Sequence, residues 1–397
     1  MAEHEQWTSW KRVYAALNHQ EPDRVPINFG GCAQTTILEC PPDGMNCTKL
    51  YQHLGITNYE PPITGALANQ VYNLDERVMR RFGSDFRLIL PNGSKILTDQ
   101  DGSKTILGIS CGLRVKKMGY YDDVFEFPLQ SCTSITDIKN YPYWPSDEDI
   151  KTLAVGKREE ARQIREKTGC VIIEDAYLAY PALLYAMLSG YDKWLMDMKL
   201  DPQFYFSLSD KLFEIGLKVV EYFIGEIGDL IDIIGTYDDL GTQEGPILSH
   251  SDYEKFLKPY EVRMIEQIRK YTDAKIYRHS CGSVYDFIPD FIEMGVDILN
   301  PVQPLAKKME PWRLKKEFGK DLTFMGGFDI QELLPRGSIE DIRRGAKELI
   351  ETYAPGGGYI FATSHNIEPD TPVENIIAMF DAALEYGRYP IKKVIRK

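Results

Sequence analysis

No stretch of this chain approaches the eighteen or so consecutive apolar residues that a membrane-spanning helix requires, so none is expected. Positive charge is in short supply: 46 Lys and Arg face 59 Asp and Glu, a net charge of −13. That balance disfavours nucleic acid or an anionic membrane as the main partner and leaves a small molecule or another protein. The opening Met-Ala-Glu-His-Glu-Gln-Trp is polar and acidic, unlike a secretory leader, and a cytoplasmic location is expected. The seven cysteines, Cys32, Cys40, Cys47, Cys111, Cys132, Cys170 and Cys281, are odd in number and irregular in spacing, which excludes an evident disulfide framework. Cys32, Cys40 and Cys47 match no zinc motif and read as loop thiols. No Gly-rich phosphate loop of the GxGxxG or GxxxxGK type follows a strand. Histidine is scarce, with six in 397 residues.

What the chain does have is rhythm. Short apolar runs near residues 25, 170, 230, 274, 297, 322 and 359 read as buried strands, and most are followed by a helical pattern. Helix starts are marked at Ser251 with Glu254, at Ser338 with Asp341, and at Thr371-Pro372-Val373-Glu374. Strand, loop and helix repeated in this way imply a parallel sheet wrapped by helices. The expected fold is α/β, a (β/α)8 TIM barrel forming a single domain over residues 1–397. Residues 32–150 are read as an irregular elaboration that includes hairpin-like pieces at Arg87 to Leu97 and Ser103 to Ile109, with the eighth strand hidden inside it. A doubly wound open sheet is the weaker alternative.

In a barrel of this kind the residues just past the strands converge on one mouth. Here they are Asn28, Glu174, Asp175, Asp238, Asp239, Gln243, His279, Cys281, Asn300, Gln303, Asp329, His365 and Asn366. His279 and Cys281, two apart at a strand end, share a face. With His365 at another strand end they make a three-donor set of the kind zinc takes in catalytic sites, where one position stays open. A packed imidazole beside a small buried thiol is the other reading of His279 and Cys281. Asp238 and Asp239 fit a fourth ligand, a partner for a metal-bound imidazole or a general acid, and equally a turn or cap. Asn28, Glu174, Gln243, Asn300, Gln303 and Asn366 are the candidate substrate-binding residues.

Pro22-Asp23-Arg24-Val25-Pro26, Asp238-Asp239-Leu240-Gly241-Thr242-Gln243, His279-Ser280-Cys281-Gly282, Gly356 through Asn366, Pro369-Asp370-Thr371-Pro372 and Glu374-Asn375 together resemble the uroporphyrinogen decarboxylase superfamily over nearly the whole chain. The resemblance implies a (β/α)8 barrel and two possible chemistries. The decarboxylases carry an Arg-rich segment after the first strand to hold substrate carboxylates. Here Asn28-Phe29-Gly30-Gly31-Cys32-Ala33 stands in its place, so a polyanionic substrate has no clamp. The other branch holds cobalamin-dependent methyltransferases, which use zinc; its coenzyme M members bind the metal through His-x-Cys and a later Cys. His279 and Cys281 match that pattern, whereas Ser364-His365 stands where the later Cys is expected. The resemblance therefore implies a methyltransferase like the first component of O-demethylase systems. It would move a methyl group from a small-molecule donor, favoured as a methoxylated aromatic, to cob(I)alamin. No Asp-x-His-x-x-Gly motif is present, so the cobalamin would arrive on a partner corrinoid protein. The alternatives are a decarboxylase with altered substrate, a methylcobamide:thiol methyltransferase, and a non-catalytic corrinoid- or tetrapyrrole-binding protein. The elaboration offers either a homodimer surface or a lid.

Overall fold

The computed structural model describes residues 7–39, 45–65, 69–179 and 181–392, with the backbone alone for 176–179. Cys40 and the first six residues lie outside the described residues.

Seven strands run in chain order as one parallel sheet: Phe86–Ile89, Val171–Ala179, Ile233–Tyr237, Lys275–His279, Ile298–Asn300, Thr323–Phe328 and Tyr359–Thr363. Ile27 closes the ring. It is bridged in parallel to Ser84 on one side and to Phe361 on the other. Asp85 N donates to Ile27 O at 2.9 Å, Asn28 N to Phe361 O at 2.9 Å, and Phe361 N to Pro26 O at 2.8 Å. Residues 25–29 are thus the first of eight staves, and the fold is the expected α/β TIM barrel. Pro26 has no N–H to contribute, which keeps the pairing of this stave brief.

The hidden strand is Phe86–Ile89. This corrects the hairpin reading at Arg87, because the segment pairs in parallel with Val171–Glu174. Its apolar run is interrupted by Arg87, whose guanidinium is tied to Glu76 at 2.8 Å; that break hid a four-residue strand. Antiparallel pairing begins only at Ile96–Thr98, the first strand of a four-stranded sheet with Lys104–Ile106, Leu113–Met118 and Tyr121–Glu126.

Strand alternation sorts the core into two layers. Phe86, Val171, Ile173, Ile233, Tyr237, Tyr277, Ile298, Met325, Ile360 and Ala362 pack inside the ring, and Val13 and Leu17 of the helix Ser9–Leu17 join them. Residues of the opposite parity, such as Ile172, Ile234, Ile276 and Phe361, belong to the larger layer shared with the surrounding helices.

The Pro22–Pro26 motif works at the N-terminal foot of the ring. Asp85 is 1% exposed and accepts from Arg12 Nη1 at 2.7 Å, Arg24 Nη1 at 2.9 Å, Ser9 Oγ at 2.9 Å and Ile27 N at 3.1 Å. Arg12 also grips Asp23 with two bonds of 2.7 Å. One carboxylate therefore ties the N-terminal helix to the first two staves.

The Ser338 and Asp341 capping box forms as expected. The other two starts are displaced. The chain turns helical at His250, so Ser249 with Asp252 holds the cap and Ser251 is already inside the first turn. The last helix begins at Val373, which puts Pro372 rather than Thr371 at the cap position. Among the described residues no helix is long and apolar enough to cross a membrane.

Candidate metal centre at the barrel mouth

His279 ends its strand and Cys281 follows two residues later. His365 follows the strand Tyr359–Thr363, across the ring. The structure brings one ligand atom from each of these three residues to within 4.8 Å of the others. His279 Nε2 and Cys281 Sγ are 3.4 Å apart, and the two imidazole centroids are 5.8 Å apart, at 64°. A tetrahedral zinc, with bonds of about 2.0–2.1 Å to nitrogen and about 2.3 Å to sulfur, spaces its donors roughly 3.3–3.7 Å apart. The donor set fits that ion in chemistry, and the His279–Cys281 pair fits it in spacing.

The supporting bonds select the free atoms. Asn300 Nδ2 donates to Met325 O at 3.3 Å, which leaves Oδ1 to meet His279 Nδ1 at 2.8 Å. Because that oxygen only accepts, Nδ1 carries the ring hydrogen and Nε2 offers its lone pair. Asp239 Oδ1 accepts from Cys281 N at 2.9 Å and lies 3.8 Å from His279 Nε2. Gln303 Oε1 accepts from Gly282 N at 2.8 Å. Gly282 has φ +77°, and a Cβ there would stand 2.5 Å from the Gly241 carbonyl carbon. The turns carrying Asp239 and Cys281 can therefore touch backbone to backbone.

Burial sets the protonation states. It lowers both imidazoles, and the proximity of His279 helps take His365 down to about 4. Burial, aided by Asp239, pushes the Cys281 thiol well up. The pair of imidazoles is thus neutral near pH 7, as ligation needs, and the thiol keeps its proton until a cation displaces it.

Other residues singled out in the sequence take varied places. Asp238 shares a face with Arg278, not with Asp239: its Oδ1 accepts from Leu183 N at 2.7 Å and its buried Oδ2 has no hydrogen-bond partner among the described residues. Asn28 Oδ1 accepts from Gly31 N and Thr35 Oγ1, at 3.0 and 3.1 Å. Asn366 Nδ2 donates to Ala33 O at 2.6 Å and its Oδ1 accepts from Gln70 at 3.3 Å. Both Asn28 and Asn366 are buried and hold the segment after the first stave. Glu174 is buried on the face of Ile172, Gln243 is exposed, Gln303 is half-buried, and Asp329 caps the turn before Leu333. The six described cysteines are free thiols.

Asp175 had no assigned role in the sequence reading, and the structure puts it inside the mouth. It accepts from the Tyr277 hydroxyl and, at 2.6 Å, from Ala33 N. Tyr277 packs on Tyr237 at 5.7 Å, and Tyr237 on His279 at 5.1 Å, so an unbroken aromatic path joins Asp175 to the three-donor cluster. Val171, Ile173 and Asp175 share the inward face, which the doubly apolar run before Asp175 does not mark in the sequence.

Comparison with known proteins agrees with this architecture. The family profile "Uroporphyrinogen decarboxylase (URO-D)" matches residues 176–386. A uroporphyrinogen decarboxylase of Gloeobacter violaceus is 26% identical over 75% of this chain and 80% of its own length. A methylated-thiol–coenzyme M methyltransferase of Methanosarcina mazei is 24% identical, over 35% of this chain and 34% of that protein. Among solved structures, a methyltransferase from Methanosarcina mazei superposes with a TM-score of 0.62 at 17% identity, covering 96% of this chain and 99% of that one; this likeness establishes the fold.

Proposed function

The chain belongs to the uroporphyrinogen decarboxylase (URO-D) family, and from that premise we propose that it is a zinc-dependent methyltransferase of the corrinoid branch. In this reading it moves a methyl group from a small methylated substrate, a methoxylated aromatic, to cob(I)alamin carried by a separate corrinoid protein. The observation that carries the reading is the convergence of His279, Cys281 and His365 donor atoms within 4.8 Å. The similarity to a methyltransferase that acts on methylated thiols supports the reaction class.

His279, Cys281 and His365 would hold the metal, and zinc bound there would supply Lewis acidity toward an ether oxygen. One thiolate and two neutral imidazoles leave such an ion more positive than two thiolates and one imidazole would, which favours oxygen over sulfur as the atom polarised. Asn300 keeps His279 in the ligating tautomer. Asp239, beside the cluster, is placed to be a fourth ligand or to return a proton to the leaving oxygen. Asp238 acts on the other side of the wall, where it fixes the start of the helix Pro181–Ser189. The docking partner is a corrinoid protein at the mouth of a single barrel domain, and a reducing cytoplasm suits the free thiols.

Decarboxylation of a polyanion is the competing reading, raised by the relatives' names. Among the described residues named at the mouth, none is a cation. Arg278, at the mouth end of its strand, is turned behind the wall and bound to Glu261 at 2.5 Å, with both side chains 1% exposed.

The test is elemental analysis of the protein beside Cys281→Ser, followed by methyl transfer to cob(I)alamin from methoxylated aromatics. About one zinc per chain, lost in the variant together with transfer, supports the assignment. A metal-free protein that gains nothing from added zinc refutes it and leaves the decarboxylase reading in front.

A further inference from the structure

A cavity of about 480 Å³ opens between the elaboration and the rim of the barrel, within the size range of small-molecule sites. Much of its wall is apolar, from Ile63, Leu88, Leu90, Ile96, Ile106 and Ile109. Among its polar groups are Asp175, the Tyr72 hydroxyl, and the Gln70 amide whose Oε1 accepts from Tyr72 at 3.2 Å. Among the described lining residues the one cation is Lys157, and it is paired with Glu160 at 2.7 Å. A bound carboxylate or phosphate would meet acidic neighbours with no cation left to answer it.

Asp175 is the unusual member of this wall. It is fully buried, yet neither of its partners is a cation: one is the Tyr277 hydroxyl and the other the Ala33 amide. Burial pushes its carboxyl up to about 8, so at neutral pH it is largely a carboxylic acid with an O–H to donate. Gly235 gives this arrangement its room, since a Cβ there would stand 2.6 Å from the Tyr277 ring and 2.8 Å from Asp175 Oδ1.

We propose that this cavity is a small-molecule binding site that selects an uncharged, flat, largely apolar molecule whose oxygen is hydrogen-bonded by Asp175. The cavity and its chemistry do not depend on the methyltransferase reading. An aromatic acid has the same ring but brings a charge the wall does not balance.

The test is equilibrium binding to the zinc-supplemented protein at pH 7, followed by calorimetry, with no corrinoid present. The probes are neutral 2-methoxyphenol, its anionic counterpart 4-hydroxy-3-methoxybenzoate, and toluene, which has no oxygen. The neutral phenol is expected to bind at least about tenfold more tightly than the anion. Ser94→Trp, which fills the cavity from a small half-buried residue of its wall, should abolish binding of phenol and toluene alike. Asp175→Leu should weaken 2-methoxyphenol about tenfold, the worth of one hydrogen bond, and leave toluene unchanged or tighter. The proposal is overturned if the anion binds as well as the phenol, if folded Ser94→Trp binds undiminished, or if Asp175→Leu shifts both neutral probes equally. Binding with this pattern but no methyl transfer from any donor would sink the methyltransferase reading and leave the cavity assignment standing.

Discussion

His279 gives its Nδ1 hydrogen to Asn300 Oδ1 at 2.8 Å, and this bond turns the opposite ring nitrogen toward the Cys281 sulfur, 3.4 Å away. The two residues sit opposite each other in the register of adjacent parallel strands, so the barrel itself sets the tautomer. Asn300→Ala should keep the fold and weaken zinc binding about 10- to 100-fold, the usual cost of losing such an orienting partner. Competition with a chromophoric chelator reads this directly, and unchanged affinity would mean that the imidazole is positioned by packing alone.

The contact between Gly241 and Gly282 makes a second, sharper prediction. Gly282→Ala places a methyl group 2.5 Å from the neighbouring turn at a left-handed backbone position. The turns must separate, and the bond from Cys281 N to Asp239 goes with them. Loss of most bound zinc is expected, with a far-ultraviolet circular dichroism spectrum like that of the parent. A variant retaining full zinc would show that the two turns need not touch.

Asp85 should matter for stability and not for chemistry. Asp85→Ala takes the carboxylate from Arg24 and leaves Arg12 with Asp23 alone at the foot of the barrel, and breaking a buried pair in this way costs about 3–5 kcal/mol. Urea unfolding should show that loss, while the zinc content of the folded fraction stays at the parent level. A shift below about 1 kcal/mol would mean that water reaches this network freely.

Asp175 should leave a signature in the pH dependence of stability. Its carboxyl sits at about 8 in the folded chain, against about 3.9 when unfolded. Between those values the folded state holds the extra proton. Its contribution is complete below about pH 4, declines by up to about 1.4 kcal/mol per pH unit, and is gone above about pH 8. Asp175→Asn has no proton to lose, so it should gain on the parent as pH rises from 5 to 8 and hold a constant lead beyond. Parallel unfolding curves across that range would place Asp175 in contact with water.

Much of the site was legible because period-two alternation links His279 to Cys281 with no knowledge of the fold, and strand-end positions gather His365 to them once a barrel is assumed. Which face of each strand turns inward was not legible. The run Cys170-Val171-Ile172-Ile173 is apolar on both faces, as strands buried on two sides are, so nothing in it separates Glu174 from Asp175 or Asp238 from Asp239. Packing decides: Ile173 and Tyr237 lie inside the ring, and Asp175 and Asp239 follow them. The brief stave at Phe86–Ile89 was hidden for a related reason, since four residues interrupted by an arginine are too few to show a period.

The ring closes at Ile27, which touches Ser84 and Phe361 at once. The first stave is made early in synthesis and must wait for the last before it has both neighbours. His365 lies just beyond that last stave, so the three donors cannot assemble on a nascent chain until nearly all of it has emerged. Assembly of the donor set is thereby a closing act of folding, and a truncated product that lacks its final stave would leave His279 and Cys281 without their third donor.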